Sequence, residues 1–377
     1  MQKDKTKIVV APDSFKGTMS SLTAGTIIQE EILRKIPNAE VIRLSVADGG
    51  ENTIDVFFEN FSGEYVTDLF TSPNFTKRNF KYVKYDKSVV IEAGQCAGLT
   101  FANPKNPMFT TSLGMGEQIL HAISKGTKNI ILALGGSATN DAGTGLLSAL
   151  GVKFLDKDGN SFVPVGSTLN KIISIDDSGL KNNIKDLKFT LMVDISNPLY
   201  GKNGAAYIYA KQKGASKEEI ILLDNGLRHY SNILKKQFKV DISSIVGGGA
   251  AGGIAASCSF FLNADIVNGI DLILEMCNFD KILHNTNLVI TGEGKFDSQS
   301  LEGKTISGIA KFTTKREIPL VIFTGRNEIN DVNLKRKYLI ESIYEIASPT
   351  HTFDEIQKTC KEDLRKAVSK WIDKEVG

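Results

Sequence analysis

The pattern of apolar and polar positions divides the chain into three stretches. It opens with an apolar run from Lys7 to Ala11, closed by Pro12, and a polar turn leads to Ala24, Ile28, Ile32 and Ile36 before Pro37. Residues four apart share a helix face, so the spacing predicts a strand and then a helix beginning near Ser20 or Ser21. A second strand is predicted at Glu40–Val46, followed by a helix carrying Ile54, Phe57, Phe58 and Phe61. Such an order implies a parallel sheet covered by helices. From about Ser62 the texture changes to alternation with turn signals, as in antiparallel strands. Buried strands are then predicted at Asn129–Leu134 and Phe189–Val193, with a helical stretch between Gly143 and Leu150.

The C-terminal part returns to the opening style. Asn287–Ile290, Pro319–Phe323 and Ser342–Ala347 are predicted strands, with a polar loop after the first and a helix after Lys304. Phe353, Ile356, Cys360, Leu364, Ala367 and Trp371 trace one helical stripe, and Thr352 with Glu355 has the spacing of a capping box. The expected fold is α/β: a Rossmann-like parallel-sheet domain from both chain ends, residues 1–62 and 284–377, with a mixed α/β domain, 63–283, inserted. The active site is expected in the cleft between them.

Composition narrows the ligand. The 377 residues are 41% hydrophobic, ample for two cores, while 45 basic and 43 acidic residues nearly cancel. No polyanion partner is indicated, neither nucleic acid nor a membrane surface, so the ligand is expected to be small. The N-terminal residues lack a signal-peptide core, and no segment approaches the roughly 18 apolar residues of a membrane span. A cytoplasmic protein, monomer or homodimer, is expected. Cys96, Cys258, Cys277 and Cys360 form no C-x-x-C pair and the histidines are scattered, which argues against a zinc ribbon, a redox dithiol or a histidine-based triad. The 34 glycines, in contrast, cluster in pairs and triplets, as where backbone approaches something closely.

Several predicted strands end in loops of glycine, hydroxyl and carboxylate, where an open parallel sheet binds ligands. "APDSFKGTMSS" holds Asp13, Ser14 and Lys16, suited to an anion and a cation, or equally to an ordinary helix-capping turn. "ADGGENT" offers Asp48 and Glu51 on a glycine turn, for Mg²⁺ or for a proton. In "ALGGSATNDAGTG", Gly135, Gly136, Ser137, Thr139 and Asn140 run from strand to helix, an arrangement that binds phosphate. It lacks the lysine of a Walker loop. "VDISNPLYGKNGAA" contributes Asp194 and Lys202. "GGGAAGG" contains G-x-G-x-x-G but follows no convincing strand, and close helix packing explains it better. "TGEGKFDSQSLEGKT" groups Glu293, Asp297 and Lys304. Its Gly303, Lys304 and Thr305 imitate the end of a phosphate loop, yet lie too far past the strand to be one.

Taken in order, these six segments resemble the bacterial glycerate kinase family over nearly the whole chain. The resemblance implies two α/β domains, one inserted in the other, with ATP as donor, Mg²⁺ as cofactor and D-glycerate as acceptor. It favours phosphorylation at O2, giving 2-phosphoglycerate, over 3-phosphoglycerate. Ser45 and Asn52 replace the proline and glycine usual in the second motif, and Ala142 a glycine frequent in the third; none removes an ionisable group.

Phosphoryl transfer demands positioning and charge stabilisation above all. On this basis the triphosphate is expected on the Gly135–Asn140 loop, with Lys16 neutralising the moving phosphoryl or the acceptor's carboxylate. Asp48 and Asp194 are the catalytic acids, sharing the roles of base and Mg²⁺ ligand. Asp13, Ser14, Lys202, Glu293, Asp297 and Lys304 are expected to bind substrate. The competing functions are a nicotinamide-dependent hydroxy-acid dehydrogenase, resting on Gly247–Gly252, and a non-catalytic sensor of sugar acids or nucleotides.

Overall fold

The computed structural model describes residues 6–180, 184, 186–301, 303–329, 331–348 and 350–375. The chain opens with β1 (Lys7–Val10), α1 (Ser21–Lys35) and β2 (Glu40–Arg43). The Ser20 hydroxyl accepts the Thr23 N–H and starts α1, whose face of Ala24, Ile28 and Ile32 is fully buried. There follow α2 (Thr53–Asn60), β3 (Glu64–Thr71), β4 (Lys77–Tyr85), β5 (Ser88–Glu92), α3 (Leu113–Ser124), β6 (Asn129–Ala133) and α4 (Thr144–Ala149). The short strands β7 (Lys153–Leu155), β8 (Ser161–Phe162) and β9 (Ser174–Asp176) make a small sheet of their own. Next come β10 (Lys188–Val193), α5 (Lys217–Phe238), α6 (Ala250–Phe261) and β11 (Asp265–Asn268). The chain closes with β12 (Leu288–Phe296), α7 (Thr305–Lys315), β13 (Leu320–Asn327), β14 (Ile340–Glu345) and α8 (Phe353–Glu375).

Two compact units result, Met1–Asp48 with Gly269–Gly377, and Gly49–Asn268. The first holds a sheet of order β14-β13-β12-β1-β2, parallel throughout. Both chain ends build it, as the strand-helix alternation at the two ends predicts. Cys360, Leu364, Val368 and Trp371 of α8 join Ile28 and Phe323 in its core. Thr352 and Glu355 exchange the two hydrogen bonds of the capping box, while Phe353, the first residue of the stripe, is exposed. The second unit holds a mixed sheet of order β11-β10-β6-β5-β4-β3, antiparallel only at the β3-β4 and β4-β5 pairs. Among the described residues no helix is long and apolar enough to cross a membrane.

Three details differ from the sequence expectation. The units divide at Asp48/Gly49 and Asn268/Gly269, ahead of the 62/63 and 283/284 boundaries. At the first boundary the physical reason is α2: Phe57 packs on Tyr85 with centroids 5.5 Å apart and Phe58 stacks on Tyr65 at 4.3 Å, which ties the helix to β3 and β4; at the second, Phe279 packs edge-on against Phe312 at 5.6 Å within the first unit. Second, β12 continues past Ile290 to Phe296, because its pairing with β13 runs on to Phe296 opposite Asn327. Glu293 and Lys295 are therefore strand residues and not part of a polar loop. Third, β2 stops at Arg43, before Val46.

Glu92, at the end of β5, reaches the start of α2, where its two oxygens accept the Asn52 and Ile54 N–H groups, both at 3.3 Å. Burial nevertheless pushes its carboxyl up to about 7. An unfolded Glu ionises near its ordinary value of 4.5, so the folded chain holds an extra proton between pH 4.5 and 7. Stability from this group falls as pH rises through that window and stays low above it. Glu92→Gln should remove the dependence: relative to wild type, its unfolding free energy in urea should gain on the order of 3 kcal/mol between pH 4.5 and 8. An unchanged difference would show that Glu92 ionises normally.

Candidate active site

In the first unit the loop after β1 meets β12, and the charge of Asp48, from the loop after β2, reaches Asp13. The Asp13 N–H donates to Gly292 O at 2.8 Å, fastening the loop to that strand. The Asp13 carboxylate accepts the Ser14 N–H at 2.6 Å and the Thr305 hydroxyl at 2.5 Å. Burial, and then the charge of Asp48, push its carboxyl up to about 7. Asp48 is itself only 8% exposed. Glu293 is pushed up to about 8, chiefly by burial, with Asp13 and Asp297 adding and Ser300 and Lys304 opposing. Its Oε1 is buried without a hydrogen-bond partner. This corner thus concentrates negative charge away from water, an arrangement that a bound cation or an added proton relieves.

Two cations border it. Lys16 is exposed, and its charge favours ionised Asp13. It also edges a cavity of about 150 Å³ whose walls mix apolar Phe15, Ile346, Phe353 and Ile356 with charged Arg326, Glu345 and Asp363. Lys304 immediately precedes α7 and acts on Glu293. Asp297 pairs with Lys295 at 3.1 Å.

In the second unit the Gly135–Asn140 loop leaves β6 at the carboxyl edge of the sheet. Gly135 N–H donates to Gly49 O at 3.0 Å, and a Cβ on Gly135 would stand 2.4 Å from Gly50 Cα, so only glycine lets the two loops touch. The same contact brings Glu51 against Gly136, whose Cβ would lie 3.2 Å from Glu51 Cγ. Ala138 N–H donates to Ala97 O at 2.7 Å. Lys213, 4% exposed, donates to Ser137 Oγ at 3.0 Å and to Thr139 O at 2.7 Å. Both polar atoms of the Asn140 side chain are buried without a partner. Asp141 accepts from Ser112 N, Ser112 Oγ and Gly143 N. Asp194 directly follows β10, whose register with β6 ends with Met192 opposite Ala133.

Of the residues singled out from sequence, Asp13, Ser14, Lys16, Asp48, Glu293, Asp297 and Lys304 belong to the first unit, and Asp13, Lys16 and Asp48 interact there, as do Glu293, Asp297 and Lys304. Gly135, Gly136, Ser137, Thr139, Asn140, Asp194 and Lys202 belong to the second. Lys202 lies exposed in the turn before Gly204. Sequence reasoning missed Lys213 and the Thr305 bond to Asp13. Thr305 was visible in the Gly-Lys-Thr triplet, but nothing in "AKQKGA" marks Lys213. The "GGGAAGG" segment packs against the loop: Ala142 N–H donates to Gly252 O at 3.0 Å, and a Cβ on Gly252 would meet Thr139 O at 2.1 Å. Close packing, and not a dinucleotide turn, accounts for its glycines.

The chain matches known proteins over nearly its whole length. The model of the glycerate kinase family matches residues 8–374. The chain belongs to the glycerate kinase family. It is 37% identical over 365 residues to a glycerate 2-kinase of Escherichia coli K12, covering 96% of each chain. It is 36% identical over 362 residues to a glycerate kinase of Bacillus cereus, covering 95% of each. A crystal structure provisionally assigned as glycerate kinase 2 from Salmonella typhimurium LT2 superposes with a TM-score of 0.86 at 33% identity, covering 98% of both chains. The activity is that of a glycerate kinase, and a kinase family implies a nucleotide substrate. Asn52 and Ala142, two positions where the resemblance leads one to expect glycine, both keep left-handed backbone, with φ of 68° and 54°.

The Gly135–Gly50 contact gives a direct test. Gly135→Ala should push the two loops apart, costing roughly 1–3 kcal/mol of stability, the range for overpacking, and, on the expectation that this loop holds the triphosphate, lowering ATP affinity at least about tenfold. Calorimetric titration with ATP, alongside a urea melt, checks both.

Proposed function

We propose that the chain transfers the γ-phosphoryl group of ATP to O2 of D-glycerate with Mg²⁺ bound. The observation that supports this best is the buried acidic corner, where burial and then the charge of Asp48 push Asp13 up to about 7. A carboxylate pair of this kind can take the proton that an attacking hydroxyl must lose. Asp48 is the proposed base, with Asp13 sharing the proton and Thr305 holding Asp13 in place. Lys16 neutralises charge on the phosphoryl group or on the glycerate carboxylate. Ser14, Glu293, Asp297, Lys304 and Lys202 complete the proposed substrate contacts.

The triphosphate is assigned to Gly135, Gly136, Ser137, Thr139 and Asn140. As the O2–phosphorus bond forms, the bond to the leaving ADP oxygen breaks, and the hydroxyl proton passes to the carboxylate. Mg²⁺ when bound would neutralise phosphate charge. Asp194, at the edge that carries the phosphate loop, is its proposed ligand, with Asp48 the second acid able to serve. Mg²⁺ commonly takes one or two carboxylates with phosphates and waters, a number these two acids would supply.

Coupling ADP release to a spectroscopic assay tests the roles. Asp48→Asn should lower kcat by about 10²–10⁴, the scale of lost general-base catalysis, with little change in the Km for ATP. Lys16→Ala should lower kcat/Km for glycerate by at least about tenfold. Wild-type turnover in both folded variants overturns the assignment. Phosphorus NMR of the product decides O2 against O3.

A further inference from the structure

We propose that Lys213 is the positioning cation of the phosphate loop, supplying from a distant segment the positive charge that the loop's own sequence lacks. The inference rests on the phosphate role proposed for Gly135–Asn140 and adds a residue to it. Lys213 Nζ donates to the loop twice, at Ser137 Oγ and at Thr139 O. Tying down a loop needs only a neutral donor. Burying an ammonium for that purpose alone is costly, because desolvation is repaid only by a well-placed opposite charge.

The opposite charge at hand is incomplete. Asp141 is the charged group that acts on Lys213, yet its carboxylate already accepts from Ser112 N, Ser112 Oγ and Gly143 N. Tyr230 of α5 and Cys258 of α6 are the other titratable groups that feel Asp141, and burial holds both neutral. Despite Asp141, burial lowers the Lys213 ammonium to about 8. Next in the loop stands Asn140, wholly buried, with neither its amide nitrogen nor its oxygen partnered. A cation short of counter-charge held against the loop and an amide short of partners within it both gain when an anion binds there.

The consequence is a pH dependence of nucleotide affinity with a stated sign. An anion binds the protonated amine better, so affinity should fall as pH rises through about 8. Calorimetric titration of wild type with ATP between pH 7 and 9.5 should show at least about a tenfold loss. Lys213→Arg, which stays charged over that range, should hold its affinity, and comparison with it at each pH removes the ionisation of ATP itself. Lys213→Gln keeps a donor for Ser137 or Thr139 without the charge. It should bind ATP at least about tenfold more weakly at pH 7, with no slope. Retained affinity in a folded Lys213→Gln variant, or a flat wild-type profile, overturns the proposal. Should Gly135→Ala also leave ATP binding intact, the loop itself is not the phosphate site, a failure distinct from that of Lys213 alone. The wild-type profile needs no variant to fold.

Discussion

The hydrogen bond from Thr305 to Asp13 joins residues 292 apart in sequence and holds the acidic corner of the first unit together. The chain leaves this unit after β2 and returns only for its last part. Its two segments must therefore find one another without a local connection. Sheet pairing of β1 with β12 does most of this, and the amide of Asp13 extends it by bonding Gly292 O. The Thr305 hydroxyl then fixes the side chain. A carboxylate accepting a hydroxyl and an N–H would ordinarily become more acidic; here burial and the neighbouring Asp48 outweigh both.

The inserted unit solves a similar problem with the opposite charge. Asp141 gathers Ser112 and Gly143 around the start of α4, and Lys213 reaches the loop just before it. In each unit, hydrogen bonds fix the position of an ionisable group without neutralising it. Such groups weaken the resting fold, and under the proposed roles they strengthen its hold on a ligand, so stability and function would draw on the same atoms.

The architecture was legible because its signals are local. Apolar strands closed by proline or glycine, the four-residue spacing of Ala24, Ile28 and Ile32, and the Thr352–Glu355 capping pair each specify an element from neighbouring residues alone. Glycine misled at β12: Gly292 and Gly294 interrupt the apolar pattern, yet Gly292 is packed against Phe323 O and the ladder runs on. Aromatic packing placed α2 with the inserted unit, a contact that periodicity does not encode. The candidate loops were visible as clusters of glycine and acid. Lys213 was not, since its significance lies in a burial and two hydrogen bonds reaching 74 and 76 residues back along the chain. The Gly-Lys-Thr triplet was recognisable, but the residue with a clear structural duty is its threonine.

Asn52 and Ala142 keep a left-handed backbone without the residue that adopts it most easily. For Ala142 the conformation costs about 1–2 kcal/mol relative to the ordinary helical region. Alanine also gives the unfolded chain fewer conformations to lose than glycine would, an entropic gain of about 0.4–1 kcal/mol that offsets part of that cost. The shape of this turn is therefore held by its pairing with Gly252, and the hydrogen bond to that backbone, more than the residue's own preference, keeps Ala142 left-handed.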